Sequence, residues 1–165
     1  MEEADKAKRD KCNLIINIVL MAILIVLIIV LVISRYVLSP MRVAGDSMQP
    51  TLHDKEVVFV LRTKKVARGE IAVFKHGDKA VVKRIVAVEG DSVRIDSAGI
   101  VYVNGKELFD EYILDGMHNT EDGEVEYKRG DGMCFALGDN RCNSNDSHDY
   151  GPIKRENIIG KVLGY

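Results

Sequence analysis

Tryptophan is missing from this 165-residue chain, and aromatic residues make up only 6% of it. Base-stacking platforms of the kind that hold single-stranded nucleic acid are therefore not expected. Charge of one sign is also scarce: 23 Lys and Arg stand against 25 Asp and Glu, for a formal net charge of −2. No basic run lies beyond the N-terminal flank, so no nucleic-acid partner is expected. The three cysteines, Cys12, Cys134 and Cys142, are too few and too irregularly spaced for a disulfide framework or a zinc site. In an oxidising compartment Cys134 and Cys142 would be the pair available to bridge, with two separate thiols as the alternative. Paired metal-ligand spacings are lacking as well, so neither a metal nor a cofactor is expected. There is no internal repeat.

What the chain has in excess is one apolar run. Residues 14–33 are branched aliphatics interrupted only by Asn17, Met21 and Ala22, long enough to cross a hydrocarbon core of roughly 30 Å as a helix. A cleavable signal peptide has a shorter apolar region followed by small residues, whereas this run ends in Ile33-Ser34-Arg35-Tyr36, so it is expected to stay as an anchor. Lys6, Lys8, Arg9 and Lys11 precede the span, and Arg35 and Arg42 follow it. That excess predicts a cytoplasmic segment 1–13, a transmembrane helix 14–33, a juxtamembrane linker 34–40 and an extracytoplasmic body 41–165. Without its anchor the body has the size of one ordinary domain of roughly 100–150 residues.

In the body the pattern changes to short β-branched runs punctuated by Gly, Asp and Asn, an all-β signature. Strands are expected over 56–61, 70–75, 80–88, 92–95, 100–103 and 133–137. His76-Gly77-Asp78 predicts a tight turn, which makes 70–75 and 80–88 an antiparallel hairpin, and Asn104-Gly105 predicts a two-residue hairpin turn. Residues 106–129 are polar and weakly patterned and are expected to form a mobile loop or insertion. One or two helical turns are expected over 153–159, and Val162-Leu163 is expected to close the sheet.

Two residues bring chemistry into this frame. Ser47 lies in Gly45-Asp46-Ser47-Met48-Gln49-Pro50-Thr51-Leu52, where Pro50 stiffens a turn that exposes the hydroxyl. A serine needs a neighbouring base to become a nucleophile. Lys83 lies in Val81-Val82-Lys83-Arg84-Ile85; strand alternation puts Lys83 and Arg84 on opposite faces, so one of the two cations must meet an unusual environment. A lysine buried among apolar groups loses its proton more readily and can serve as that base. Read alone, Ser47 is an ordinary turn serine and Lys83 a surface lysine.

Together with Gly138-Asp139-Asn140-Arg141-Cys142-Asn143-Ser144-Asn145-Asp146-Ser147, these segments reproduce three motifs in order. In this the chain resembles the type I signal peptidases, membrane-bound endopeptidases that remove signal peptides from exported proteins, and the resemblance runs from the anchor to Gly160. It implies an all-β catalytic domain of two packed antiparallel sheets or a partly open barrel, after one N-terminal transmembrane helix. It also implies a serine endopeptidase that uses a Ser47–Lys83 dyad and an acyl-enzyme. Ser144 would hydrogen-bond and steer the Lys83 amine, and Asp146 would orient that loop. Family members often pair this Asp with an Arg two residues on; here the position is His148, so the pair becomes pH-sensitive or passes to another cation such as Arg141. Met48, Leu52 and Val82 would line the pocket for the small residue before the cut. One oxyanion donor would be the Ser47 backbone N–H; the second is open, because Gly45 replaces a side-chain hydroxyl. Signal peptides of exported preproteins and the lipid bilayer are the implied partners, with the secretion translocon as a further candidate.

Other readings compete with this one. His53, His76, His118 and His148 offer a histidine base for a Ser-His-Asp triad. A Ser-x-x-Lys site is disfavoured because Pro50 occupies that spacing. Self-cleavage like that of the SOS-repressor autoproteases is opposed by the membrane span. From another class, the chain would be a non-catalytic anchored β-domain that binds exported chains or a translocation partner.

Overall fold

The computed structural model describes residues 2–109, 112–113, 125–127 and 132–165. The chain divides into two units, Met1–Leu38 and Ser39–Tyr165.

The first unit is a single helix, α1 (Glu2–Tyr36). Within it Asn13–Tyr36 has a mean hydropathy of 3.5 and none of it is buried. Twenty-four residues at 1.5 Å each reach about 36 Å, enough to cross a bilayer. The helix runs past both ends of the expected span 14–33. On the N-terminal side Glu, Lys and Ala dominate residues 2–11, and these are good helix formers that extend an apolar helix into polar surroundings. On the C-terminal side it stops just before β1 (Leu38–Arg42), whose Pro40 cannot continue a helix.

The second unit holds two antiparallel sheets. One has seven strands in the order β1-β2-β11-β3-β4-β9-β10, with β2 (Val57–Leu61), β3 (Ile71–His76), β4 (Lys79–Ala87), β9 (Met133–Leu137), β10 (Ile153–Lys154) and β11 (Ile158–Leu163). The other has the order β7-β6-β5-β8, with β5 (Val93–Ile95), β6 (Val101–Val103), β7 (Lys106–Glu107) and β8 (Val125–Tyr127). The predicted hairpin of β3 and β4 pairs His76 with Lys79, so Gly77-Asp78 is the loop, with Gly77 at φ 57°. Asn104-Gly105 joins β6 to β7 with both residues at positive φ, 53° and 76°, as a type I′ turn requires.

Three apolar clusters flank the sheets. Val43, Met48, Leu52, Val58, Val60, Ile71, Val73 and Val162 form the first. Ala72, Phe74, Ile85, Cys134, Ala136, Ile153 and Ile158 form another, which takes the alternate residues of β3 and adds β4, β9 and β10. The third sets Val86, Phe135 and Leu137 of the large sheet against Val93, Ile95, Val101 and Val103 of the small one. Both faces of β3 and of the second half of β4 are thus covered, and residues 71–74 and 83–87 are all buried. Strands enclosed on both faces lose hydrophobic alternation.

The chain after β9 departs from expectation. The helical turn expected over 153–159 is present as the 3-10 turn Arg155–Asn157, but it is flanked by β10 and the start of β11, and an unexpected α-helical turn, α2 (Ser147–Tyr150), precedes it. Asp146 caps α2, accepting from His148 N while the Asp149 side chain accepts from Asp146 N. Val162 and Leu163 do not close an edge: β11 lies between β2 and β3. Its Gly160 is a position where a Cβ would collide with the Leu61 carbonyl and with Val60. Within the expected loop 106–129, β7 and β8 are strands; apart from 108–109 and 112–113 its other residues lie outside the described ones. Cys134, which is buried, and Cys142, which is exposed, are not joined in a disulfide.

Candidate active site

Ser47 is carried by a loop tied to the sheet at several points. Val43 N donates to Glu56 O at 2.8 Å and Lys55 N to Val43 O at 2.9 Å, which closes the base of the loop. Gly45, at φ 87°, donates its N–H to Asp54 Oδ1 at 2.9 Å. Gln49 donates twice to Asp46, from its backbone to Asp46 O at 3.1 Å and from Nε2 to Oδ1 at 2.8 Å. Met48 and Leu52, expected at the substrate pocket, are instead 0% and 1% exposed in the first core cluster. Their side chains leave the Ser47 loop on the side of Val60, Ile71 and Val162, and they anchor the loop rather than line a cleft. Val82 does line one. A cleft of about 270 Å³ has Ser47, Val58, Val73, Val82 and Lys83 in its walls and the cations Arg42 and Lys79 at its exposed rim.

Lys83 reaches Ser47 from the middle of β4. The side chain is buried, 3% exposed, and Nζ donates to Ser47 Oγ at 2.5 Å. Burial pulls the amine below the usual lysine value, and Asp146, Asp139 and Asp149 push back in that order. The net direction is downward because removal from water penalises an ammonium more than carboxylates at a distance reward it. Among the described residues no acceptor meets the Ser47 backbone N–H.

The neighbouring cation is buried too, which strand alternation alone did not foresee. Arg84 is 4% exposed and forks onto Asp139 through Nε–Oδ1 at 2.8 Å and Nη2–Oδ2 at 2.6 Å. Its Nη1 donates to Gly69 O at 2.9 Å, and the Tyr112 ring lies 3.7 Å from the guanidinium carbon. Thr51 Oγ1 donates to the same Asp139 carboxylate at 2.6 Å, so this pair fastens the Ser47 loop to β4. Asp139 is one half of a buried ion pair. An acid in a Gly-Asp-Asn turn and two adjacent cations on one strand were the visible signals; nothing local joined them across 55 residues.

The segment 138–147 closes on the serine from the other side. Asn140 N donates to Ser47 O at 3.1 Å. A Cβ on Gly138 would lie 2.5 Å from Ser47 O and overlap the Ser144 side chain, so the close approach requires glycine. Ser144 directs its hydroxyl to Asp146 Oδ2 at 2.6 Å, and Asp146 also accepts from Gly138 N at 2.9 Å and His148 N at 3.0 Å. Asp146 is 0% exposed; its carboxylate is satisfied mainly by its own loop and helix cap. His148 Nδ1 stands 3.8 Å from Asp149 Oδ1. The other described histidines point elsewhere: His53 lies 3.8 Å from Glu56 and His76 stacks on Tyr150 at 4.0 Å. His118 lies outside the described residues. Among the described residues, the titratable side chain hydrogen-bonded to Ser47 Oγ is the Lys83 amine.

Residues 15–164 match the family model described as signal peptidase, peptidase S26. Among curated proteins, the chain is 36% identical over 141 residues to signal peptidase I S of Bacillus subtilis strain 168, covering 78% of this chain and 76% of that one. It is 34% identical over 172 residues to signal peptidase I P of Bacillus subtilis subsp. natto, covering 94% and 90%. Among solved structures, a signal peptidase I from Enterococcus faecalis V583 superposes with a TM-score of 0.50 at 27% identity, covering 61% of this chain and 97% of that one. An apolar N-terminal helix, two unclosed antiparallel sheets and a serine bonded to a buried lysine thus occur in a sequence matched along nearly its full length, and the chain belongs to the signal peptidase family, peptidase S26.

Proposed function

We propose that this chain is a membrane-anchored endopeptidase that removes signal peptides from exported preproteins, with Ser47 as nucleophile and Lys83 as its base. The observation that carries the reading is the 2.5 Å approach of Lys83 Nζ to Ser47 Oγ, by an amine whose burial favours its neutral form. Neutral Lys83 takes the Ser47 proton as Oγ attacks the scissile carbonyl, then gives that proton to the departing amine. Water releases the acyl group in a second step with the same base. The Ser47 N–H is a donor for the tetrahedral oxyanion.

Specificity comes from the cleft. Val58, Val73 and Val82 give it apolar walls, suited to a small aliphatic residue before the cut, with Met48 and Leu52 holding those walls from behind. Ser144 and Asp146 act together in this reading: Asp146 holds Ser144, and Ser144 holds the segment that packs on Ser47. The excess of Lys6, Lys8, Arg9 and Lys11 over Arg35 and Arg42 supports a cytoplasmic N-terminus and an extracytoplasmic body. Contact of the body with lipid is supported by Val57, Phe59 and Leu163, 53%, 56% and 40% exposed. Phe59 and Leu163 are cross-strand neighbours, so two of these exposed apolar side chains lie side by side. A translocon partner is supported by the substrate class alone.

The test is cleavage of a preprotein in detergent–phospholipid micelles by wild type, Ser47→Ala and Lys83→Ala, with product N-termini sequenced. A single cut after a small residue, lost in both variants, is the expected result. No cleavage by folded wild type would favour a non-catalytic anchored β-domain, and activity surviving Lys83→Ala would return the base to a histidine.

A further inference from the structure

We propose that Asn140 is a positioning residue for the oxyanion donor, acting through the peptide bond that joins Asp46 to Ser47; the proposal rests on Ser47 being the nucleophile. A trans peptide is planar, with its carbonyl and N–H pointing in opposite directions. The Ser47 N–H therefore cannot be aimed independently of the Asp46 carbonyl. That carbonyl accepts from Asn140 Nδ2 at 3.2 Å and from Gln49 N at 3.1 Å. The next carbonyl, Ser47 O, accepts from Asn140 N at 3.1 Å. One residue thus holds the peptide planes on both sides of the Ser47 Cα, and it holds the first by a side chain.

Asn140 is itself tied down on several sides. It is 9% exposed, stands next to Asp139 in its ion pair with Arg84, and opens the 3-10 turn by accepting from Asn143 N at 3.1 Å. The chemistry of the side chain matters at this position. A short stem ending in an N–H donor reaches a carbonyl; aspartate in its place would set a carboxylate against that carbonyl, and alanine would leave the carbonyl to Gln49 alone. Hydrogen bonds accepted at a carbonyl also polarise its amide and strengthen the N–H on the other end. Negative charge on the substrate oxygen develops only in the transition state, so a donor fixed in advance acts on the rate of chemistry more than on substrate binding.

The experiment uses the full chain in detergent–phospholipid micelles with a preprotein substrate, and compares wild type, Asn140→Ala, Asn140→Asp and Ser47→Ala. It measures kcat and KM separately, inhibition by a peptide aldehyde of the substrate's sequence, and binding of the same peptide with its scissile carbonyl reduced to methylene. The aldehyde forms a hemiacetal with Ser47 that places an oxygen at the oxyanion position; the reduced peptide has no such oxygen. Because Gln49 N still holds Asp46 O, kcat falls about ten- to a hundredfold in Asn140→Ala, less than the roughly hundred- to thousandfold lost with a whole donor. Aldehyde affinity falls with kcat, while KM and reduced-peptide affinity stay within about twofold of wild type. Asn140→Asp, of nearly the same volume, behaves alike and decides the matter if the alanine variant does not fold. Reduced-peptide affinity falling as far as aldehyde affinity would reduce Asn140 to a packing residue and overturn the proposal. Wild-type kcat in both Asn140 variants alongside an inactive Ser47→Ala would overturn it alone; cleavage by Ser47→Ala would overturn the nucleophile and the proposal together.

Discussion

Asp139→Asn removes one charge from a pair whose side chains are 1% and 5% exposed. The carboxylate is the receiver of two Arg84 bonds, at 2.8 and 2.6 Å, and of the Thr51 hydroxyl at 2.6 Å. Arg84 cannot shed its proton at neutral pH, so the variant leaves a buried guanidinium with an amide in place of its counter-ion. Breaking a buried pair in this way costs about 3–5 kcal/mol, a large share of the roughly 5–15 kcal/mol that holds a domain folded. For a body of this size the midpoint of thermal unfolding should fall by about 10–20 °C. Adding Arg84→Met removes the stranded charge, so the double variant should regain about 1–3 kcal/mol over Asp139→Asn alone. The assay is thermal and urea unfolding of the full chain in micelles, followed by tyrosine absorbance. The reasoning is refuted if the double variant is no more stable than Asp139→Asn, since the cost would then lie in lost packing and not in an uncompensated charge.

Lys83→Met should reduce kcat by about a hundred- to ten-thousandfold, as expected when a general base is removed, and stabilise the body at neutral pH. The sign follows from the lowered amine pKa: between that value and the unfolded value of about 10.4 the unfolded chain binds more protons, so wild-type stability rises with pH through this window. Lys83→Met should lack the rise, and equal pH slopes in the two proteins would contradict the burial argument. Wild-type kcat/KM should climb with pH through the same lowered value, giving an acid limb below that of free lysine. Gly138→Ala should cost about 1–3 kcal/mol by overpacking and slow cleavage, because the added methyl meets Ser47 O and Ser144; unfolding and cleavage at wild-type values would refute the close packing. Val82→Ala should widen the cleft and admit a larger residue before the cut, read as a relative gain in kcat/KM of about one methylene's worth, 1–3 kcal/mol, in a panel of substrates varied at that position.

Local chemistry made several elements legible before any coordinates. Gly77 and the pair Asn104-Gly105 sit in turns at positive φ, which few other residues tolerate, and β9 follows its apolar run over Met133–Leu137. What escaped was non-local. Alternation put Lys83 and Arg84 on opposite faces and required only one of them to meet an unusual environment, yet residues 83–87 are all buried because clusters cover β4 on both sides. Met48 and Leu52 sit in a motif beside the serine, and the family resemblance implied a place for them in the pocket; their side chains are in the core cluster. Ser144 follows the spacing of a lysine partner, while its hydroxyl is taken by Asp146 two residues away. Asn140 gave no signal, since an asparagine in a Gly-Asp-Asn-Arg turn is fully explained by the turn.

The place of β11 between β2 and β3 sets an order of events during synthesis. The chain leaves the ribosome with α1 first, then the Ser47 loop and β2, then the β3–β4 hairpin bearing Lys83, and β11 after every other described strand. Until residues 158–163 arrive, the strand that follows the serine loop and the hairpin that carries the lysine have no shared neighbour, and Val162 is absent from the core behind the cleft. Long-range pairings of this kind form slowly. A newly inserted molecule should therefore remain silent as a protease until residues 158–163 have emerged, and a nascent chain stalled before Ile158 should carry Ser47 and Lys83 without their 2.5 Å contact.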